Sequence, residues 1–433
     1  MKRKLFSKLL EWKSDKYRKP LLIQGARQVG KTWVMKAFGK ESFENVAYVN
    51  LESDKELKDV FAQNFDIDRI LLAIQIASGT KVEKNKTLLI IDEIQESPHA
   101  ITSLKYFHEN APEYFVIAAG SLLGVVLHQQ VSFPVGKVDF LHLYPLDFEE
   151  FLIAKEEEAL IDLIKRNDWK LVNSFKDKYI GLLKEYYFVG GMPEVVSTYI
   201  QENDINLVRK IQNRILEAYQ QDFSKHAPVE IVPRIRMLWN SIPAQLTKEN
   251  KKFIYGQIKQ RARARDFELA LAWLFDSGLV IRVNRVSKPA VPLKAYEDFN
   301  SFKLFLLDVG LLGAMTSLDV KSVIEGNRLF EEFKGALTEQ YVLQQLLSRD
   351  INPFYWSAER STAEVDFLFQ IDSKIFPLEV KAEENLKSKS LKVLSEKYQI
   401  PKSLRTSMSG YRAESWIVNI PLFAIGIADL KQV

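Results

Sequence analysis

Through the first third of the chain, short runs of consecutive apolar residues alternate with stretches of helical period. Leu21-Leu22-Ile23, Val46 to Leu51, Leu88-Leu89-Ile90-Ile91 and Phe115 to Ala119 read as strands. Uninterrupted apolar runs of this kind mark parallel strands buried on both faces. Their alternation with helical stretches predicts a parallel sheet with helices on both sides. Before the first strand, Leu5, Phe6, Leu9 and Leu10 fall on one side of a helix. That start is basic and amphipathic, not a signal peptide.

The period then changes. Residues 151–225 are helical throughout, and Gly190-Gly191-Met192-Pro193-Glu194 inside them predicts a bend between helices. From 247 to 286 the pattern gives a short helix capped by Thr247, a second helix on Phe267, Leu271 and Leu274, a stop at Gly278 and a strand from Leu279. Helix, turn, helix and strand predict a winged helix-turn-helix. Phe299 to Leu312 is an apolar return segment with Asp308 near its end, in which the sequence signals no chemistry. Leu329, Phe330, Phe333, Leu337, Tyr341 and Leu346 give the next helix its apolar face. A strand at Phe354 to Trp356 follows, then two more joined by a turn at Asp372 to Lys374. In these, side chains alternate, so Glu364 and Asp366 share one face, as do Glu379 and Lys381. Leu386 to Tyr398 closes the pattern as a basic amphipathic helix.

Composition changes this picture little. The 433 residues are 47% hydrophobic and 27% charged, with a net charge of +4, and fit two to four domains. The absence of cysteine excludes disulfides and thiolate zinc sites. Five scattered histidines without HExxH spacing argue against a histidine metal site. The longest apolar run, Phe115 to Leu127, is broken by Gly120, Ser121 and Gly124 and is too short to span a bilayer. The expectation is a cytoplasmic protein with no membrane partner.

Candidate chemistry starts after the first strand. Gly25-Ala26-Arg27-Gln28-Val29-Gly30-Lys31-Thr32 fits G-x-x-x-x-G-K-[ST] at every fixed position. The glycines let backbone N–H groups turn inward onto phosphate oxygens. Lys31 would reach the β and γ phosphates, Thr32 would offer its hydroxyl to magnesium, and Trp33 opens a helix whose N-terminus faces the anion. This predicts ATP and Mg2+ as ligands. Asp92, at the end of the apolar run 88–91, would hold magnesium through water, and Glu93 would polarise the attacking water as general base. Ser121 follows the strand 115–119. It reads either as a γ-phosphate sensor, as in AAA-type ATPases, or as a helix N-cap.

GARQVGKT, LLIIDEIQ, AAGSLLG and PLDFEEF, in this order, resemble the archaeal-type ATPase family, AAA-related P-loop ATPases with a C-terminal region of uncertain role. The resemblance implies an ATP-hydrolysing enzyme and extends over most of the chain. The family often has Gly-Arg before the Pro-Leu motif, where this chain has Gly136-Lys137. Lysine lacks the planar fork of arginine, which weakens an arginine-finger role there.

A helix acid (Glu339), a strand with Asp366, a turn, and then Glu379-Val380-Lys381 follow the order of the restriction-endonuclease-like, PD-(D/E)xK, fold. There Asp366 and Glu379 would be hard oxygen ligands, Glu339 would complete the shell, and Lys381 would activate water. The same pattern fits a solvated hairpin of alternating charge. The expected organisation is a P-loop AAA-type ATPase domain over 1–150, a helical lid over 151–227, a winged helix over 228–320 and a nuclease-like α/β domain over 321–433. Arg261, Arg263 and Arg265, with Arg285 and Lys288 near the wing, offer DNA as a partner. A protein partner and self-assembly are the other candidates. Two functions compete: an ATPase driving a DNA-directed, nuclease-like module, and a nucleotide-gated switch whose C-terminal fold only binds.

Overall fold

The computed structural model describes residues 2–121, 133–248, 251–319, 331–358, 363–384 and 387–431 of the 433. They divide into two compact units. The first is Lys2–Tyr144 with Asp276–Leu279, and the second comprises Pro145–Phe275 and Val280–Val433.

The first unit is built on five strands: β1 (Leu21–Gln24), β2 (Asn45–Asn50), β3 (Thr87–Asp92), β4 (Phe115–Ala119) and β5 (Asp139–His142). All pairs are parallel, in the order β2-β3-β4-β1-β5. Every residue of β3 and β4 is buried, as unbroken apolar runs require. The sequence reading missed β5. Its side chains are alternately half-buried and exposed at the sheet's edge, so it carries no apolar run to signal it. Helix α1 (Leu5–Ser14) buries Leu5, Leu9 and Trp12, whereas Leu10, expected on the same face, is 52% exposed. Helix α2 (Lys31–Ser42) leaves the end of β1.

The topology places the chemistry. β4 lies between β1 and β3, with Ile23 beside Ala119 and Ile91 beside Ala118. The C-terminal ends of three adjacent strands therefore open onto one rim, where open α/β sheets bind ligands.

The second unit interleaves helices, from Phe148–Ala154 to Lys389–Tyr398, with an eight-stranded sheet whose order is β12-β13-β11-β10-β9-β8-β6-β7. Its strands are β6 (Val280–Val286), β7 (Glu297–Leu306), β8 (Phe354–Ser357), β9 (Glu364–Ile371), β10 (Lys374–Val380), β11 (Ser403–Ser407), β12 (Arg412–Ala413) and β13 (Ile417–Pro421). The β6–β7 hairpin joins the later strands through a parallel pairing of Arg285 with Tyr355. The helix Ala264–Asp276 buries Phe267, Leu271 and Leu274 as its period predicts, and Gly278 follows with φ of 72°.

Thr247 does not cap a new helix. It closes the helix Val232–Leu246, its N–H bonding the Pro243 carbonyl at 3.2 Å. Ile235, Leu238, Trp239, Ile242 and Leu246 hold that helix in the core straight through Pro243. Burial of this face outweighs the proline's missing donor. The helix Glu331–Leu347 carries Leu337, Tyr341 and Leu346 buried, while Leu329 and Phe330 lie outside the described residues. In the helix Lys389–Tyr398, Leu391 and Leu394 are buried; Leu386 lies outside the described residues.

The Gly190-Gly191 bend is tied to Asp308. Gly191 donates its N–H to Asp308 Oδ2 at 2.6 Å and accepts from the Leu146 N–H at 2.7 Å. A Cβ on Gly191 would land on the Leu146 backbone. Asp308, fully buried, also caps the helix Val309–Met315 through Leu311 N–H at 2.9 Å and faces Gln344 Nε2 at 3.3 Å. Its carboxylate is thus the common acceptor for three chain segments. Asp308→Ala, by leaving these donors unsatisfied, is expected to cost about 3 kcal/mol. Asp308→Asn, which keeps one acceptor oxygen, should cost less. Urea unfolding of both variants measures the difference.

Candidate nucleotide site and C-terminal acidic cluster

The loop from Gly25 to Gly30 turns through three residues of positive φ: Gly25 (149°), Gln28 (65°) and Gly30 (93°). A Cβ on Gly25 would strike the Leu143 carbonyl at the exit of β5, so only glycine fits there. Arg3 fixes the loop from the other side, donating to the Val29 carbonyl at 3.0 Å and the Tyr144 carbonyl at 2.6 Å. Nothing in the pattern around Arg3 separates it from the basic residues beside it.

Lys31 is buried, and its ammonium donates to the Gly25 and Ala26 carbonyls, each at 2.8 Å. Burial pushes it down to about 8, opposed by the carboxylates of Glu93 and Asp92. Thr32 Oγ1 donates to Asp92 Oδ2 at 2.6 Å, and Tyr48 on β2 donates to the same oxygen at 3.1 Å. Burial and the Asp92 carboxylate raise the Tyr48 phenol. Tyr48 looked like any strand aromatic in the sequence.

Glu93 has a left-handed backbone (φ 50°) directly after β3. Its Oε2 accepts from Gln95 Nε2 at 2.5 Å and faces Ser121 Oγ at 3.4 Å, and Arg27 Nε donates to that hydroxyl at 3.2 Å. Ser121 thus stands between the loop and Glu93. The residues that would decide its N-cap reading, from Leu122 on, lie outside the described residues. Trp33 is half exposed at the start of α2. Lys137 is engaged with Glu109 at 2.9 Å. The adjacent hydroxyl and carboxylate of Thr32 and Asp92 are hard oxygen donors and fit a magnesium ion.

In the second unit, the structure brings Glu339, Asp366, Glu379 and Lys381 into one electrostatic cluster. Each acid has a partner on one oxygen, while the buried Glu339 Oε2 and Glu379 Oε2 accept no hydrogen bond. Lys381 Nζ lies 2.6 Å from Glu379 Oε1, and the Val380 N–H donates to Asp366 Oδ2 at 2.7 Å. Glu339 forms an ion pair with Lys251 and stands 3.7 Å from Lys303 Nζ, which also lies 2.5 Å from Glu364 Oε1. Lys303, on β7, is completely buried. The sequence reading did not include Lys251 or Lys303, which come from segments far from the acids. Burial and the neighbouring Glu339 and Glu379 hold the Asp366 carboxyl well above the usual carboxylate range. Burial likewise raises Glu379, against the pull of Lys381. Among the described residues no group of three acidic or histidine side chains has a metal-holding arrangement.

Of the residues expected to meet DNA, Arg261, Arg263 and Arg265 are exposed at the start of the helix Ala264–Asp276. Lys288 is exposed as well. Arg285 is not available: it is half-buried, donating to the Ser357 carbonyl at 2.9 Å and to Asp298 at 3.2 Å. Pairing of β6 with β8 draws it into the sheet.

A glycine-turned loop between a parallel strand and a helix, a buried lysine in that loop and a Thr–Asp pair beside it define a P-loop nucleotide-binding domain. Residues 17–152 match the AAA domain family, and the first unit is an AAA-related P-loop ATPase domain, as the resemblance to the archaeal-type ATPases implied. Residues 180–322 match a domain of unknown function, DUF8612, and residues 334–423 match another, DUF4143. No curated protein matches the chain. Among solved structures, the chain is similar to the Walker-type ATPase PABY2304 of Pyrococcus abyssi, with 14% identity over 73% of this chain and 95% of that one and a TM-score of 0.45. It is also similar to the Aeropyrum pernix Orc1 protein in complex with DNA, with 12% identity, 73% and 91% covered and a TM-score of 0.28. A third is the Thermotoga maritima RuvB Holliday junction branch migration motor, with 16% identity, 68% and 94% covered and a TM-score of 0.30. No helix among the described residues is long and apolar enough to cross a membrane.

Because burial pushes Lys31 down to about 8 in the free protein, ATP binding above that pH must first return a proton to it. ATP affinity should be level below about pH 8 and weaken above it, approaching tenfold per pH unit. Calorimetric titration across pH 7–10 checks this, with proton uptake on binding as a second sign.

Proposed function

We propose that the chain is a magnesium-dependent ATPase whose nucleotide cycle controls a DNA-directed second unit. The observation that carries this reading is the convergence of Lys31, Thr32, Asp92, Glu93 and Ser121 at the ends of three adjacent parallel strands. The N–H groups of Gly25 to Lys31 and the start of α2 bind and orient the phosphates, with Lys31 on the β and γ oxygens. Thr32 and Asp92 hold magnesium, which when bound offsets phosphate charge. Glu93 accepts the proton of the attacking water. Gln95 and Ser121 hold its carboxylate at rest, and a γ-phosphate competing for the Ser121 hydroxyl would leave Glu93 free to take up water.

For the second unit, three arginines at a helix N-terminus oppose the helix dipole, an arrangement that favours an anionic partner. This supports contact with a phosphate backbone through Arg261, Arg263 and Arg265. For the C-terminal cluster, the lysines already seated on its acids favour a fold that binds without cutting. The other overall reading, a nucleotide-gated switch, shares the same loop and differs only in hydrolysis.

Lys31→Ala should abolish magnesium-dependent phosphate release. Glu93→Gln should still bind ATP while turnover falls by about 10²- to 10⁴-fold. Equal, near-zero release by wild type and Glu93→Gln would favour the switch. DNA affinity should fall steeply with salt. Replacing Arg261, Arg263 and Arg265 together by alanine should flatten the log–log slope by about 3, near one unit for each phosphate left unneutralised. Fluorescence anisotropy on duplex DNA between about 50 and 300 mM salt reads it.

A further inference from the structure

We propose that Lys303 is the resident cation of the C-terminal acidic cluster, its ammonium holding the place among Glu339, Glu364 and Asp366 that a divalent ion takes in a nuclease-like fold. This part of the chain therefore works without metal.

Lys303 has no exposed surface, so its charge has no water to screen it. A buried ammonium persists only where carboxylates answer it. Glu364 Oε1 lies at 2.5 Å and Glu339 Oε2 at 3.7 Å, and the Tyr355 ring sits beneath it at 4.9 Å. Burial alone would drive the proton off Lys303. Glu339, Glu364 and Asp366 outweigh that effect and raise it above the ordinary lysine value. Lys251 supplies a second positive charge to Glu339, and Lys381 answers Glu379.

A magnesium or manganese ion needs about six oxygen ligands in near-octahedral array. Here one Asp366 oxygen is spent on the Val380 N–H, Glu339 Oε1 and Glu364 Oε1 serve Lys251 and Lys303, and the two buried oxygens without a hydrogen bond, Glu339 Oε2 and Glu379 Oε2, are too few for such a shell. A divalent ion entering the cluster would face a buried positive charge with no solvent between them. The two charges come from different stretches of sequence. The ammonium stands on β7, inside the segment 180–322, and the acids Glu339, Glu364, Asp366 and Glu379 lie inside 334–423. The pairing of β6 with β8 brings the two stretches into one sheet. The ammonium that faces these acids thus comes from the neighbouring family segment.

The test is Mn2+ binding by calorimetry on the full chain, without nucleotide, in an Asp92→Asn background that silences the first site. Wild-type sequence at the cluster should bind Mn2+ no tighter than ~1 mM, and Lys303→Met should create one site near ~10 μM. Adding Glu379→Gln to Lys303→Met should weaken it again. Stoichiometric micromolar binding with Lys303 in place, lost in Glu379→Gln, would overturn the proposal. So would a folded Lys303→Met chain that gains no site. Should Lys303→Met fail to fold, refolding in Mn2+ decides: a recovered cooperative melt supports the exchange of lysine for metal, and its absence overturns it.

Discussion

A charge taken out of water must be met by opposite charge or by aligned hydrogen-bonding groups. Three residues put that constraint at the centre of this protein. Lys31 meets it with two loop carbonyls, Asp308 with backbone N–H groups from two segments, and Lys303 with the carboxylates around it. Each solution is specific. Burial lowers the Lys31 ammonium's pKa, against the pull of the Glu93 and Asp92 carboxylates. Asp308 and Lys303 are enclosed, and what they hold is fixed chain geometry.

The nucleotide domain follows from strand order as much as from its loop. Had β3 paired directly with β1, Ser121 would have no place between Arg27 and Glu93. The insertion of β4 supplies that place, and side chains outside the motifs then tune it. Tyr48 and Thr32 fill the same Asp92 oxygen, Gln95 steadies Glu93, and Arg3 pins the loop at Val29. Such contacts decide how the acids rest before substrate arrives, which is the state from which differential stabilisation of the transition state must start.

The second unit shows the reverse relation between motif and chemistry. The order of helix acid, strand aspartate and E-x-K suggested a metal centre, and the acids do meet. What accompanies them changes their meaning. Ion pairs of Lys303 with Glu364 and Glu339 tie β7 to β9 and to the helix Glu331–Leu347, and Lys251 and Lys381 sit beside the same group of acids. Arg285 was altered in the same way, from an expected wing contact to a residue tied to Asp298 and Ser357.

Local pattern was enough for the apolar parallel strands, the phosphate loop and the acids after β3. Each is written in consecutive residues, because a buried strand must be apolar on both faces and a phosphate cradle needs glycine at fixed spacing. Edge strand β5 was not legible, since half-exposed positions leave no apolar run. Thr247 was misread because a cap residue looks alike at either end of a helix, and burial around Pro243 settled which end it served. The partners Arg3, Tyr48, Lys251 and Lys303 were silent in sequence for one reason. A charge reveals its role only when folding brings its counter-charge across tens or hundreds of residues, and that meeting is made by the sheet order, not by the spacing of residues along the chain.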